Sequence, residues 1–157
     1  MYFLRDFNFV EINTRTRQRL VTNPQACTGC RTCEMSCSLF KIGAIFPDYA
    51  RIHVDRFPFE GSYIPHVCHQ CSMPYCMRAC PEEAIGISEK NGVVLISAKK
   101  CTGCGLCAAA CPYGMIVMDH EKNRAMKCDL CGGNPQCIKS CPMNALGIAV
   151  FENREPK

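Results

Sequence analysis

The chain has 157 residues, of which 48% are hydrophobic when cysteine is included, 8% are aromatic and none is tryptophan. This length allows one domain or two very small ones, and no apolar run is long enough to cross a bilayer, so no membrane span is expected. The formal net charge is +4, and 16 of the hydrophobic residues are cysteines, which leaves few apolar side chains for a core. Chains with so small a core usually need disulfides or metals for stability.

Residues 1–26 contain no cysteine, and we expect them to form an N-terminal extension that contacts a partner. The apolar residues suited to a short strand or hairpin, packed on one edge of the protein or on a partner, are Phe3, Phe7, Phe9, Val10 and Ile12. The basic run at residues 15–19 is predicted to be a solvated face, so no nucleic-acid partner is expected. Because Arg5 and Asp6 interrupt the first apolar stretch, we predict no secretory signal and a cytoplasmic location.

From residue 27 onward the cysteines fall into four groups of four, here called quartets one to four. They are Cys27, Cys30, Cys33 and Cys37; Cys68, Cys71, Cys76 and Cys80; Cys101, Cys104, Cys107 and Cys111; and Cys128, Cys131, Cys137 and Cys141. Quartets one and three have the spacing C-x2-C-x2-C-x3-C, whereas quartets two and four have four and five residues between the second and third cysteine. Three quartets end in Cys-Pro, and Ser38 replaces the proline in quartet one.

Several metal or disulfide arrangements compete for these cysteines. Eight disulfides fit poorly, because the spacing is typical of metal sites and no secretory signal is predicted. Zinc would need two C-x2-C pairs per ion, and the third and fourth cysteines of each quartet do not supply them. A Rieske site would use two histidines such as His66 and His69, but the second quartet keeps all four cysteines. The spacing C-x2-C-x2-C-x3-C-P binds [4Fe–4S] clusters in bacterial ferredoxins, so we predict four of them.

The segments between the quartets are too short for independent cores. The apolar runs at 84–87 and 93–96 flank Asn91-Gly92, which predicts a β-hairpin. Further strands are predicted at 115–118 and 146–151. A unit of quartet, proline and short strand therefore repeats, which indicates an internal duplication.

The loops between the cysteines also contain small and basic residues. Gly29, Gly103 and Gly105 would let backbone amides turn toward cluster sulfurs. The basic residues near the loops, which would raise cluster potentials unless they are simply solvated, are Arg31, Arg78, Lys99, Lys100, Lys127 and Lys139. Four clusters of net charge −2 would change the formal charge of +4 to about −4.

The stretches CHQCSMPYCMRACPEEAI, KKCTGCGLCAAACPYGMI and KCDLC resemble the four-cluster iron–sulfur subunits of molybdenum and tungsten oxidoreductases, of the dimethyl-sulfoxide-reductase type. The resemblance covers about residues 27–150. It implies nested pairing of the quartets, one with four and two with three. The implied ligand sets are Cys27, Cys30, Cys33 and Cys141; Cys37, Cys128, Cys131 and Cys137; Cys68, Cys71, Cys76 and Cys111; and Cys80, Cys101, Cys104 and Cys107. Spacing alone also permits sequential pairing, one with two and three with four.

The expected fold class is α+β, with two ferredoxin-like modules of the bacterial dicluster kind, short hairpins, small helices and an iron–sulfur-held core. Residues 27–151 would form this double dicluster domain and residues 152–157 a tail. The resemblance implies a line of clusters in these modules.

No nucleophile elbow, phosphate loop or nucleotide-binding glycine motif is present in the sequence, so we expect no catalysis by the chain alone. The resemblance implies an electron-transfer subunit that serves a large catalytic molybdenum or tungsten subunit, of the aldehyde oxidoreductase or formate dehydrogenase type. A further redox subunit or a ferredoxin would be the second partner. The alternative is a free-standing polyferredoxin that serves several redox enzymes. Copies of the chain could also stack head to tail and extend the line of clusters.

Overall fold

A computed structural model of the protein describes residues 16–152. In this range the chain forms eight strands, four α-helices and three short 3-10 helices. The strands are β1 (Thr16–Thr22), β2 (Ile52–Phe57), β3 (Ser62–Val67), β4 (Ile85–Ile87), β5 (Val94–Ile96), β6 (Ile116–Asp119), β7 (Arg124–Lys127) and β8 (Leu146–Glu152). The α-helices are α1 (Thr32–Ile42), α2 (Tyr75–Arg78), α3 (Leu106–Ala109) and α4 (Gln136–Lys139), and the 3-10 helices are Pro24–Ala26, Pro47–Tyr49 and Leu130–Gly133.

The strands pair into four separate two-stranded antiparallel sheets. Strands β4 and β5 form the predicted hairpin, in register from Ile85 opposite Ile96 to Ile87 opposite Val94. Gly92 closes its turn with a positive φ of 67°, a conformation that glycine adopts without a steric penalty. The strands predicted at 115–118 and 146–151 are also present, as β6 and β8. The chain therefore has the mixed helix-and-strand composition that the sequence predicts.

Strand β1 pairs with β8 along its whole length, from Thr16 opposite Glu152 to Thr22 opposite Leu146. This pairing brings the two ends of the described chain together, and with them quartets one and four. Helix α1 packs against α4 on the same side of the molecule, whereas α2 packs against α3. The fold thus places quartet one beside quartet four and quartet two beside quartet three.

Three of the four helices are single turns that contain the third cysteine of a quartet and end before the fourth. Helices α2, α3 and α4 each have four residues, and each ends before a Cys-Pro pair. Proline lacks a backbone N–H and disfavours helical geometry in the residue before it, so it stops the helix there. In α1 Ser38 replaces the proline, and the helix continues to Ile42, where Gly43 caps it with a φ of 79°. The Ser38 hydroxyl is buried and accepts a hydrogen bond from the Phe46 amide at 3.1 Å.

The core consists of two hydrophobic clusters in which cysteines are prominent. The buried members of the larger cluster include Leu20, Ile52, Val67 and Leu130 together with Cys33, Cys37, Cys68, Cys128 and Cys137. The smaller cluster contains Ile85, Val94, Ile116 and Ala125 together with Cys76 and Cys107. Cysteines therefore occupy core positions that apolar side chains fill in a chain with a larger hydrophobic inventory.

The N-terminal predictions have mixed outcomes. The apolar residues between Phe3 and Ile12 lie outside the described residues. The prediction that residues 15–19 are a solvated face is wrong for Arg17 and Arg19, which share one face of β1 because side chains alternate along a strand. The Arg17 guanidinium donates a hydrogen bond to the carbonyl oxygen of Cys71, and Arg19 lies 3.8 Å from the centre of the Phe151 ring.

Nothing among the helices of residues 16–152 combines the length and the apolar character needed to cross a bilayer.

Candidate metal centres

The backbone has the same unusual conformation in all four quartets. The residue before the second cysteine has a positive φ each time, at Gly29 (68°), Gln70 (46°), Gly103 (75°) and Leu130 (53°). This conformation turns the loop back on itself, so that the first three cysteines surround a common space. In quartets one and three the glycines at this position indicate the positive φ already in the sequence. Nothing in the sequence indicates it at Gln70 or Leu130, because residues with side chains rarely adopt a positive φ.

The sixteen cysteines line four cavities, four cysteines to each. Cavity A is lined by Cys27, Cys30, Cys33 and Cys141; cavity B by Cys37, Cys128, Cys131 and Cys137; cavity C by Cys68, Cys71, Cys76 and Cys111; and cavity D by Cys80, Cys101, Cys104 and Cys107. All sixteen lie within the described residues, and none forms a disulfide. Each cavity thus combines three cysteines of one quartet with the last cysteine of another. These are the groups that the resemblance implies, and the structure brings the members of each group together.

Backbone amides donate hydrogen bonds to the last cysteine of each quartet. In quartets two to four the donor lies four residues further along the chain: Ala84 donates to the Cys80 sulfur at 3.3 Å, Met115 to Cys111 at 3.4 Å and Ala145 to Cys141 at 3.3 Å. In quartet one helix α1 continues past Cys37, and the donor is the distant amide of Arg51, at 3.3 Å. Such N–H···S bonds stabilise thiolate and raise the reduction potential of an iron–sulfur cluster.

The packing places the cavities in the order A, B, C, D. Helix α1 carries Cys33 of cavity A and Cys37 of cavity B, and the Gln70 side chain at cavity C donates to the carbonyl oxygen of Cys128 in cavity B. Helix α2, with Cys76 of cavity C, packs on α3, with Cys107 of cavity D. Burial, followed by repulsion from neighbouring thiolates that include Cys33 of cavity A, raises the pKa of Cys137 in cavity B. Burial raises the pKa of Cys128 in cavity B against the lowering effect of a backbone hydrogen bond from Leu130, and repulsion from Cys68 of cavity C raises this pKa further. Burial and the nearby thiolates, including Cys76 of cavity C, raise the pKa of Cys107 in cavity D. Cavities A and B, B and C, and C and D are therefore neighbours.

The two exposed cysteines lie in the first and the last cavity of this order. Cys30 lines cavity A and Cys104 lines cavity D, and the other fourteen cysteines are buried or half-buried. The row of cavities is thus open to solvent at both ends.

Comparison with known proteins identifies the type of protein to which these cavities belong. Residues 59–151 match the model of the 4Fe-4S dicluster domain, and residues 24–41 match a 4Fe-4S binding domain. The chain belongs to the 4Fe-4S dicluster family. The predicted 4Fe-4S clusters and the electron-transfer character are therefore confirmed at the level of the family.

Similar proteins are subunits of oxidoreductases. The polyferredoxin-like subunit of the aliphatic sulfonate oxidoreductase of Pyrococcus furiosus is 42% identical over 122 residues, which cover 78% of this chain and 70% of the relative. The probable anaerobic dimethyl sulfoxide reductase chain YnfG of Escherichia coli strain K12 is 33% identical over 152 residues, which cover 83% of this chain and 72% of the relative. A chain of the active site complex BamBC of benzoyl coenzyme A reductase is similar in structure, with a TM-score of 0.55 and 28% identity over 91% of this chain and 82% of that chain. The predicted resemblance to iron–sulfur subunits of oxidoreductases is confirmed by these matches.

The side chains of this dicluster protein fit the cluster type that the family binds. A [4Fe–4S] cluster needs four thiolates around a body that is larger than one metal ion. In each cavity four cysteines surround an open space instead of converging on the position of a single ion. Burial raises the pKa of Cys33 to about 12, and hydrogen bonds from Thr32 lower the pKa of the exposed Cys30. Because iron binds thiolate, cluster insertion must release the protons that the buried thiols hold at neutral pH. Folding and cluster insertion are therefore coupled.

The histidines and most of the basic residues lie outside the cysteine groups. His66 Nε2 lies 3.0 Å from a carboxylate oxygen of Asp55 on the surface, and His69 stacks on Tyr113 with ring centroids 3.9 Å apart at the edge of cavity C. The predicted basic residues that the structure leaves on the surface are Arg78, Lys99, Lys100 and Lys139. Arg31 lines cavity A and pairs with the buried Glu34.

An ion-pair network that no local pattern in the sequence indicates lies beside cavity B. Lys41 contacts the two carboxylate oxygens of Asp129 at 2.6 and 2.8 Å, and Arg51 contacts the same carboxylate at 3.2 Å. Burial alone would raise the pKa of Asp129, but the hydrogen bond and charge of Lys41 and the charge of Arg51 outweigh it and hold this pKa below its usual value. Asp129 lies 88 residues from Lys41 and 78 from Arg51 in the sequence, so only the fold reveals that the three border one cavity.

Gly103 is the most restrictive position in the loop of quartet three. An added Cβ there would lie 2.4 Å from the carbonyl oxygen of Asn123, a backbone atom that cannot move aside. We expect the Gly103→Ala variant to lose the iron bound in cavity D, about four atoms per chain. Iron analysis of the purified protein measures this loss. Gly105→Ala meets only the strain of a positive φ, about 1–2 kcal/mol, and should bind more iron than Gly103→Ala. Gly86→Ala has open space and no positive φ, so it is the control; equal iron in all three variants would contradict this prediction.

Proposed function

We propose that the chain holds four [4Fe–4S] clusters, one in each of cavities A to D, and relays electrons through them. The observation that carries this proposal is that each cavity is lined by four cysteines and that no cysteine is left over. Four cysteines are the complete ligand set of one [4Fe–4S] cluster. Nested pairing of the quartets, rather than sequential pairing, is part of the proposal. It agrees with the pairing of β1 with β8 and with the packing of α1 on α4.

The order of the cavities supports a path for the electrons. Electrons would pass from cavity A through B and C to D, or in the reverse direction, because these cavities are neighbours in that order. Cys30 and Cys104 are the exposed ligands at the two ends, so the surfaces around them are where redox partners would dock. In this proposal residues 27–151 form two dicluster modules in the cytoplasm. Residues 1–26 precede them, and β1 of this segment packs on the modules through its pairing with β8.

The partner at one end would be the catalytic subunit of a molybdenum or tungsten oxidoreductase. Support comes from relatives whose names assign them to aliphatic sulfonate oxidoreductase and dimethyl sulfoxide reductase, and from the BamBC active site complex of benzoyl coenzyme A reductase. Under this proposal the chain supplies no catalytic residue of its own. A ferredoxin or another redox subunit would exchange electrons at the other end.

Metal and sulfide analysis of the native protein tests the number of clusters. Protein purified without oxygen should contain about 16 iron and about 16 sulfide atoms per chain, and dithionite titration should reduce it with about four electrons. About eight iron atoms would contradict the four-cluster proposal. Zinc in place of iron would contradict the assignment of the cavities to clusters.

Native purification tests the proposed partner separately. We expect the chain to co-purify with a larger subunit that contains molybdenum or tungsten. If the fully loaded chain is isolated alone, the subunit proposal is wrong and the free-standing polyferredoxin is supported. Electron microscopy of the same material would show whether copies stack end to end into filaments, which is the third arrangement that a row of clusters with two open ends allows.

A further inference from the structure

Lys127 is a buried cation at the boundary between cavities B and C. It is the last residue of β7, and only 4% of it is exposed. Its ammonium group donates hydrogen bonds to the carbonyl oxygen of Val94, to that of Cys128 at 2.9 Å and to the side-chain oxygen of Gln70 at 3.4 Å. Cys128 is a member of cavity B, whereas Lys127 and Gln70 line cavity C. The ammonium group therefore lies between the two inner cavities.

Gln70 connects this cation to both sides of the boundary. Its amide nitrogen donates to the carbonyl oxygen of Cys128 at 2.8 Å, and its oxygen accepts from the backbone amide of Val94 at 2.8 Å. Gln70 is 3% exposed and lies between the first two cysteines of quartet two. The hydrogen bonds of Gln70 and Lys127 thus join quartet two, β5 and quartet four at one buried point.

Within residues 16–152, no anionic side chain balances the charge of Lys127. Among residues 16–152 none of the ion pairs includes it, and its three acceptors are all neutral. A buried ammonium group without an anion is unfavourable, because burial removes its hydration and neutral acceptors replace only part of it. The fold tolerates this arrangement if a negative charge that is not a side chain lies close by.

We propose that Lys127 is the counter-ion of the two inner clusters and raises their reduction potentials above those of the two end clusters. This inference rests on the proposed function, which places clusters in cavities B and C. A [4Fe–4S]²⁺ core with four thiolates carries a net charge of −2, and one electron taken from a redox partner makes it −3, with no bond formed or broken. A fixed cation in a low-dielectric interior stabilises the more negative state. The inner clusters are therefore easier to reduce.

The surroundings of the end cavities strengthen this contrast. In the described part of the chain, cavity D is bordered by Glu82 and by no lysine or arginine. In cavity A the nearby cation is Arg31, whose guanidinium pairs with the carboxylate of Glu34. Of the charged side chains that line the four cavities, Lys127 is the buried cation without an anionic partner. The potential should therefore be lowest at D and highest at the inner pair, which would let the chain hold electrons between its two ends.

Potentiometric titration followed by electron paramagnetic resonance tests this inference on the complete chain. The variants are Lys127→Met and Lys127→Gln, which remove the charge, and Lys127→Arg, which keeps it. The control is Lys122→Met, an exposed lysine in the turn of the same β6–β7 hairpin. We expect both neutral variants to shift two of the four midpoint potentials downward, while Lys127→Arg and Lys122→Met leave all four close to those of the unchanged protein.

Iron analysis of the same samples keeps the outcomes distinct. If the neutral variants keep all their iron and all four potentials stay unchanged, the counter-ion role is wrong. If they lose iron but Lys127→Arg keeps it, the positive charge is needed and the inference stands. If all three variants at position 127 lose iron equally, Lys127 acts by packing and the inference is wrong. Fewer than four clusters in the unchanged protein would contradict the proposed function, independently of any variant.

Discussion

Replacing Cys37 with serine should remove the cluster whose other three ligands come from the far end of the chain. Cys37 lies in quartet one but lines cavity B together with three cysteines of quartet four. We therefore expect Cys37→Ser to lose the same electron paramagnetic resonance signal as Cys131→Ser, with about four iron atoms fewer per chain in each variant. The double variant should lose no more iron than either single one, because both ligands serve one cluster.

A second double variant provides the contrast. Cys33 and Cys37 lie four residues apart in one helix, yet they line different cavities, A and B. We expect Cys33→Ser combined with Cys37→Ser to lose about eight iron atoms, from two clusters. Cys104→Ser, in cavity D, is the matched control and should leave the signal of cavity B unchanged. Loss of the same signal in the Cys33 and Cys37 variants would show that each quartet binds its own cluster, and nested pairing would be wrong.

Removing the iron should unfold the chain rather than leave an empty scaffold. The two hydrophobic clusters depend on buried cysteines such as Cys33, Cys128 and Cys107, and the four sheets have only two strands each. Ordinary domains are stable by about 5–15 kcal/mol, and one structural zinc site in a small domain contributes on the order of 10 kcal/mol. Loss of four clusters therefore removes more free energy than a domain of this size has in reserve.

Circular dichroism and hydrogen exchange of the chelated protein measure this dependence. We expect the helix and strand signals to fall together with the visible absorption of the clusters, and the amides of β1 and β8 to lose protection from exchange. The chain before chelation, kept without oxygen at the same pH, is the control. A chelated chain that keeps its secondary structure and a cooperative melting transition would contradict this expectation.

The cluster-binding character of the cysteine motifs could be predicted from the sequence, because the spacing of the cysteines is a local property. A loop of C-x2-C-x2-C fits three corners of a cluster, and the prolines after the quartets end the short helices at the observed places. The hairpin of β4 and β5 was also predictable, because Asn-Gly between apolar runs specifies its turn locally. The family and the cluster type follow from such local signals. The continuation of α1 past Ser38 to Ile42 was not predicted, although the missing proline permits it.

Other features could not be predicted because they depend on residues that are far apart in the chain. The positive φ of Gln70 and Leu130 contradicts the usual preference of those residues. The acceptors of Lys127 come from quartet two, β5 and quartet four, and Asp129 meets Lys41 and Arg51 across more than 75 residues. The sequence predicts a solvated face for the arginines of β1, but Arg19 meets the Phe151 ring through the pairing of β1 with β8. Arg17 donates to the distant carbonyl oxygen of Cys71.

The sequence by itself thus determined that the sixteen cysteines form four quartets and that they belong to a 4Fe-4S protein, because ligand spacing is a property of short segments. Only the tertiary structure decided which cysteines share a cavity, since spacing permits nested and sequential pairing alike. The pairing of β1 with β8 and the packing of α1 on α4 bring quartets one and four together. Other long-range contacts, the hydrogen bonds that join Gln70, Val94 and Cys128, bury Lys127 between cavities B and C.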